Sequence, residues 1–291
     1  MSSKNSAILW VAIATLVSFA AAFAGGTDSI EAAGVPVTVW AAMIAFGINW
    51  LVFVPSYFAT TERYYDLIGA VSYLSVVSYV WLSGERDVRA TMLALMIATW
   101  TIRLGSFLFG RVSADGRDVR FNKLKINPWL FFRTWTLQAA WVVIVSSAAL
   151  AAMAATTPTG IGPIGVVGLL VWTCGFGIET VADMQKRRFR SIETNRDRFI
   201  SSGLWAWSRH PNYFGEILLW AGIALVALPD LSGWQLLTLV SPVMVWVLLT
   251  RISGVQLLER RGKKNWGHEP EYLAYIDRTP VLVLRPPRSG S

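Results

Sequence analysis

The residues that could do chemistry in this chain are few, and most stand close together. Ser208-Arg209-His210-Pro211-Asn212-Tyr213-Phe214-Gly215-Glu216 is the densest string of donors, acceptors and charges. A run from Glu179 through Asp183 to Lys186-Arg187-Arg188-Phe189-Arg190 leads into it, with Arg196 and Arg198 in between. Carboxylates accept from hydroxyls and amides, an asparagine does both, and a guanidinium grips a phosphate through two donors at once. Together these types suit an organic cofactor that carries hydroxyls, an amide and phosphates.

Spacing adds geometry to composition. Glu179 and Asp183 stand four apart, on one face of a helix, and Arg187 continues that face a turn later. Acids at membrane depth are costly and turn toward a polar cavity or a partner. The two carboxylates therefore either pair with an arginine at the membrane boundary or line a ligand pocket. Pro211 fits the first turn of a helix, where no backbone donor is lost. Asn212 and Tyr213 then project at the mouth of that helix, with Glu216 about one turn deeper. The arginine run has two compatible uses, anchoring to anionic head groups and binding a phosphate-rich ligand.

Other patterns fail on context. Gly160-Ile161-Gly162-Pro163-Ile164-Gly165 has a dinucleotide-like spacing, but it follows no strand and falls in an inter-span loop. His210 and His268 have no metal-ligand spacing around them, and Cys174 is the single cysteine, so no metal site is expected. There is neither a P-loop nor a Gly-x-Ser-x-Gly elbow.

What must position these residues is a membrane. The 291 residues are 54% hydrophobic and 15% charged, with a mean hydropathy of +0.47, whereas a soluble domain carries roughly a quarter charged residues. About eight apolar runs reach the ~17 residues or more needed to cross hydrocarbon. We place them near 7–26, 35–55, 66–83, 89–110, 130–155, 163–183, 213–229 and 235–252. The expected fold is all-α: a polytopic helical membrane protein in one membrane domain over 1–291. Of the 26 lysines and arginines, 6 lie in 103–125, 7 in 186–209 and 8 in 251–291. The loops at 28–34, 84–88, 156–162 and 230–234 are nearly free of them, with Arg86 and the marginal Arg89 as exceptions. This asymmetry puts both termini in the cytoplasm. It also explains the net charge of +8 without nucleic acid, which is not an expected partner. Ala22-Phe23-Ala24 resembles a signal-peptidase site, but the first run is too long for a signal h-region and is read as a retained span. Turn signals stand at Asp115-Gly116 and Asn127-Pro128. The prolines at 280, 286 and 287 argue against a long final helix. Asn49, Arg103 and Gln138 are further polar residues at membrane depth. Trp81, Trp129, Trp205, Trp207 and Trp234 are read as an aromatic belt.

Several strings occur in a fixed order: Trp100-Thr-Ile-Arg103-Leu-Gly, Gly110-Arg111, Asp118-Val-Arg120-Phe121, Gln138, Glu179-Thr-Val-Ala-Asp183-Met-Gln185, the Ser208–Glu216 string, Ser253-Gly254 to Glu259, and Tyr272-Leu-Ala-Tyr275. In this the chain resembles a bacterial family of uncharacterised membrane proteins related to the C-terminal domain of steroid 5α-reductases. The resemblance covers 35–280, most specifically its second half, and leaves 1–34 as an extra N-terminal span and outer loop. It implies a bacterial inner-membrane protein that uses NADPH to reduce an activated carbon–carbon double bond in a lipid-like substrate of the sterol or isoprenoid type. Glu179, Asp183, Arg187, Arg190, Arg209, His210, Asn212, Tyr213, Glu216 and Arg251 then become cofactor-side residues.

The substrate side departs from the reductases. Val52-Phe53-Val54-Pro55-Ser56 stands where they have a Gln-Glu pair before Leu-Pro-Ser, and Trp100 falls near the place of their tyrosine. Tyr57, Tyr65 and Asp66 are the candidate catalytic proton donors, with Tyr64 beside them. Two other classes compete. Arg-His-Pro-x-Tyr followed by a late glutamate and Tyr-x-x-Tyr also resembles S-adenosylmethionine-dependent membrane methyltransferases of the isoprenylcysteine and phospholipid type, through His210, Tyr213, Glu259, Tyr272 and Tyr275. A non-enzymatic transport or assembly protein would use Glu179, Asp183 and Glu216 as an intramembrane relay. Expected partners under the first reading are the lipid bilayer and an apolar small molecule.

Overall fold

The computed structural model describes residues 3–115 and 121–287. Gly116, Asp118 and Arg120, named above, lie outside the described residues. Eight helices are long and apolar enough to cross a membrane: Lys4–Gly25, Val37–Phe58, Tyr65–Ser83, Val88–Gly110, Pro128–Met153, Pro163–Ser191, Pro211–Asp230 and Gly233–Trp266. This is an all-α multi-pass membrane protein, with the eight spans where the apolar runs put them. The helices are α1 (Ser3–Gly25), α2 (Val37–Phe58), α3 (Tyr65–Ser83), α4 (Val88–Asp115), α5 (Pro128–Met153), α6 (Pro163–Ser191), α7 (Pro211–Ala227), α8 (Val240–Val247), α9 (Val255–Trp266) and α10 (Pro270–Arg278). The only sheet among the described residues is a two-stranded hairpin, β1 (Glu31–Ala32) and β2 (Val35–Pro36). Ala33 and Gly34 turn it with positive φ of 53° and 74°, the conformation that a two-residue hairpin demands.

The chain falls into two compact units, Met1–Val166 with Ile223–Ser241, and Val167–Gly222 with Pro242–Ser291. In the first unit α5 is the central post. Its most apolar stretch is 83% buried, against 22% for α1, so protein surrounds α5 where lipid would face an outer helix. Small residues make this close packing feasible, with Ser146, Ser147, Ala148, Ala149, Ala151 and Ala152 all buried. The Asn127-Pro128 turn signal becomes the cap of this helix. The Asn127 side chain accepts from the backbone amides of Trp129 (3.0 Å) and Leu130 (3.2 Å), and Pro128 occupies the first helical position.

The lysine- and arginine-poor loops gather at one end of this unit. Ser29 pairs with Ala155, and the Gln235 amide donates to the Thr27 carbonyl at 2.7 Å. Arg89 explains its own exception to that charge pattern. Its guanidinium pairs with Asp230 at 3.0 Å and donates to the carbonyls of Val226 (2.6 Å) and Gly160 (2.6 Å) and to the Thr159 hydroxyl (2.8 Å). The two side chains are 1% and 0% exposed. The charge is neutralised inside the protein, so it carries no topological signal. Gly160, part of the glycine-rich decoy, serves here only as an acceptor.

In the second unit α6 runs to Ser191, past the expected end of the span near 183. The run Lys186–Arg190 continues the same helix beyond the apolar stretch, as Lys and Arg, both good helix formers, allow. Span eight is irregular. A 3₁₀ stretch, Gly233–Leu239, precedes α8, and a π-helical turn, Leu248–Ile252, follows it. Gly254, at φ −84° and ψ −94°, breaks the helix before α9 starts.

Candidate functional site

The site is assembled in the second unit, on α6, α7 and α9. Two glycines set the approach of α6 and α7. A β-carbon on Gly215 would lie 2.6 Å from the Glu179 amide nitrogen and the Gly175 carbonyl oxygen, and one on Gly175 would lie 2.5 Å from the Leu219 amide nitrogen. Backbone therefore rests on backbone, an extreme of the close approach that small residues permit between membrane helices, and at these distances a β-carbon does not fit. Gly215 precedes Glu216, so the residue that lets the helices touch is coupled in sequence to one of the acids.

This seam brings together residues that the sequence separates. Glu179 is 2% and Asp183 7% exposed, and the Asn212 amide donates to the Asp183 carboxylate at 3.3 Å. Glu216 sits four residues past Asn212, on the same face of α7 and partly buried. Arg187 and Arg190 are exposed at the polar end of α6. The helix thus grades from buried acids to solvated guanidiniums within about two turns.

The loop that carries Arg209 and His210 is held from two directions. On one side, the Trp205 indole N–H donates to the Ala182 carbonyl at 3.0 Å, and the Lys186 ammonium lies 4.5 Å from its ring centre. Trp205 is buried and ties this loop to α6, so it does not belong to the aromatic belt. On the other side, the C-terminal stretch straps the loop through Arg209 N–H to Pro280 O (2.9 Å), the Ser208 hydroxyl to Leu282 O (2.8 Å) and Arg285 N–H to Trp207 O (3.0 Å).

Glu259 on α9 meets both Arg209 and His210. One carboxylate oxygen lies 2.9 Å from His210 Nε2, and the other pairs with the Arg209 guanidinium. The His210 ring stacks on Tyr213, with centroids 5.6 Å apart and planes 10° from parallel. Tyr213 in turn lies against Gly254, where a β-carbon would stand 2.8 Å from its ring. Burial pushes His210 below the usual imidazole range, and Lys186 and Arg209 push the same way. The Glu259 hydrogen bond and charge oppose them without overcoming them. His210 is therefore neutral at pH 7. Behind it, Phe199 packs against Tyr272 (5.1 Å) and Tyr275 (5.4 Å), and the Tyr275 hydroxyl donates to the Trp205 carbonyl at 2.8 Å. Burial raises the pKa of both tyrosines.

Of the residues expected on the cofactor side, hydrogen bonding and ring contacts gather Asp183, Arg209, His210, Asn212 and Tyr213, and the α6–α7 seam adds Glu179 and Glu216. Arg187 and Arg190 stand exposed at its rim. Arg251 stands differently. It is exposed in the π-helical turn with its guanidinium 5.8 Å from the Trp246 ring centre, and among the described residues no hydrogen bond joins it to the cluster. Glu259 belongs to the cluster although the sequence suggested it only under the methyltransferase alternative. Its signal was the Ser253–Glu259 string.

The candidate proton donors belong to the first unit. Tyr65 sits in a cluster with Phe121 and Trp135, at ring distances of 4.8 Å and 5.2 Å, and its hydroxyl donates to the Thr134 carbonyl at 3.1 Å. Tyr57 stacks on Phe53 at 5.9 Å, and Asp66 stands in the first turn of α3. At the same end of the unit, Lys125 pairs with the buried Glu62 at 2.7 Å.

Fold and site together define a multi-pass helical membrane protein with a polar cluster at the ends of two late spans. Residues 52–279 match the family described as Protein of unknown function (DUF1295), and the chain belongs to that family. No curated protein and no solved structure matches the chain. The match begins within α2 and ends at Thr279, the residue that caps α10; α1 lies outside it.

Proposed function

We propose that this protein is a membrane-embedded, NADPH-dependent reductase of an activated carbon–carbon double bond in a lipid-like substrate, akin to the steroid 5α-reductases. The observation that carries the reading is the α6–α7 seam. It buries two carboxylates beside a carboxamide in an apolar helix pair, directly below exposed arginines. The donor set fits the cofactor. Asp183, Glu179 and Glu216 can accept from ribose hydroxyls or a carboxamide, Asn212 can both donate and accept, and Arg187 and Arg190 match phosphates at the helix end.

When bound, NADPH supplies a hydride to the electron-poor carbon of the double bond, and a proton completes the reduction at the neighbouring carbon. The chain orients the cofactor through the seam, excludes water with its apolar helices and supplies the proton, with Tyr57, Tyr65 and Asp66 as the donors under test. On this reading the site faces the cytoplasm from a bacterial inner membrane, with both termini on that side, and the charge asymmetry of the loops supports that orientation.

A second reading has one observation in its favour. His210 held by Glu259, stacked on Tyr213 and backed by Tyr272 and Tyr275, is the set that resembles the S-adenosylmethionine-dependent methyltransferases. One experiment separates the two. The purified protein in detergent is titrated with NADPH and with S-adenosylmethionine, and binding is read by thermal shift and native mass spectrometry. Stabilisation by NADPH is the expected result. Stabilisation by S-adenosylmethionine alone would transfer the function to the methyltransferase class, and silence toward both would favour a transport or assembly role.

A further inference from the structure

The helix α9 has two faces with different chemistry. Val255 and Gly262 are buried, and Leu258, Glu259 and Trp266 are partly buried. They recur at 255, 258, 259, 262 and 266, the stripe that packs a helix against its own protein. The opposite face carries Arg260, Arg261, Lys263 and Lys264, all exposed. Glu259, the sole acid of α9, is turned inward and spent on Arg209 and His210. The outward face of this helix carries four cations and no acid.

Apolar residues share that outward surface. Leu257 is 54% exposed, and Ile252, in the turn just before the helix, is 60% exposed. Leu257 precedes Arg261 by four residues and Lys264 by seven, so the three share one side. The chain reaches this point directly from span eight, after Gly254 breaks the helix. A helix that leaves the membrane core through a break, with leucine and basic residues outward, has the composition of an interfacial element.

We propose that α9 lies in the head-group layer of the leaflet into which span eight emerges and binds anionic phospholipid through Arg260, Arg261, Lys263 and Lys264. Leu257 and Ile252 dip toward the acyl boundary. Charge complementarity selects the occupant: four exposed cations on one helix face, beside exposed apolar side chains, match a negatively charged lipid surface. Each cation near such a surface strengthens binding several-fold, and the four act together. The proposal does not depend on the cofactor, because none of these four residues belongs to the cluster around Asp183.

The test uses the full-length protein. In neutral detergent it is mixed with equal amounts of phosphatidylglycerol and phosphatidylcholine, and the lipids retained are counted by native mass spectrometry. The comparison is a variant carrying Arg260→Gln, Arg261→Gln, Lys263→Gln and Lys264→Gln. We expect phosphatidylglycerol to be retained at least about tenfold better by the wild type than by the variant, with phosphatidylcholine unchanged. Equal retention of phosphatidylglycerol by both proteins overturns the proposal. A second measurement places the helix. A spin label at Leu257→Cys, in a Cys174→Ser background and in vesicles of the same two lipids, should be relaxed by a lipid-soluble reagent. A label relaxed only by a water-soluble reagent, or by a label on a second copy, also overturns it.

Discussion

Arg89 with Asp230 in the first unit and Arg209 with Glu259 in the second are both arginine–carboxylate pairs, yet they are built for different ends. The first pair is closed. Its side chains are 1% and 0% exposed, and acceptors on three further residues, Val226, Thr159 and Gly160, take up the guanidinium donors. The second is half-open, at 14% and 22% exposure, and it shares its carboxylate with a histidine that stacks on a tyrosine. A closed pair is neutralised inside the protein and out of reach of solvent, so it serves to hold the fold. A half-open one keeps polar surface available to a ligand and sits beside a seam of buried acids. Burying charge costs free energy in both places, but only the second leaves functional groups within reach of solvent.

This contrast can be broken by mutation, and the largest effect should fall on the closed pair. Arg89→Ala leaves Asp230 buried without its cation and is expected to destabilise the protein by about 3–5 kcal/mol. The readout is chemical unfolding in detergent. A loss below 1 kcal/mol would mean that the pair is not closed.

Next comes the seam. Gly215→Val drives a β-carbon into the backbone of Glu179 and Gly175, and backbone cannot swing aside as a side chain can. The expected cost is roughly 3 kcal/mol, the upper end of overpacking, together with loss of NADPH-dependent stabilisation. Gly110→Val serves as the control, since among the described residues no atom beyond its own stretch of helix lies within 4 Å of a β-carbon there.

Removing charge from the half-open pair should cost less. Glu259→Gln is expected to lower stability by about 2 kcal/mol or less, the scale of a hydrogen bond to a charged group. A loss as large as that of Arg89→Ala would erase the distinction between the two regions.

The smallest effect concerns pH. His210 binds its proton less readily in the folded protein than in the unfolded chain. Its contribution is therefore neutral above about pH 6.5, and stability is lost as pH falls below that value. The unfolding midpoint of the wild type should drop more between pH 7 and pH 5.5 than that of His210→Gln. Parallel curves would place His210 in water.

The sequence made the eight spans legible because each is an uninterrupted apolar run, and lipid thickness converts run length directly into helix length. It was less informative where structure depends on partners far along the chain. Arg89 read as a marginal charge near a loop because its acceptors lie far along the chain, on the 156–162 loop, at the end of α7 and at Asp230. Trp205 read as a membrane-interface residue, but it donates to the Ala182 carbonyl. The irregular eighth span left no mark in hydropathy, since α, 3₁₀ and π turns bury the same apolar residues. Asp183 and Asn212 stood out as candidate site residues through their types and spacing. Their hydrogen bond did not, because it depends on Gly175 and Gly215 letting two helices touch. Glu259 was visible only as the end of the Ser253–Glu259 string, and its meeting with His210 depends on the break at Gly254 that starts α9.

The central claim is that the α6–α7 seam holds a nicotinamide dinucleotide. Equilibrium binding of NADPH to the full-length protein, measured for the wild type, Asp183→Ala and Asn212→Ala, tests it most directly. Each substitution is expected to weaken binding by roughly tenfold or more, the loss of one charge-assisted hydrogen bond, while the unfolding midpoint without ligand changes little. NADPH affinities equal to wild type in both variants would contradict the assignment.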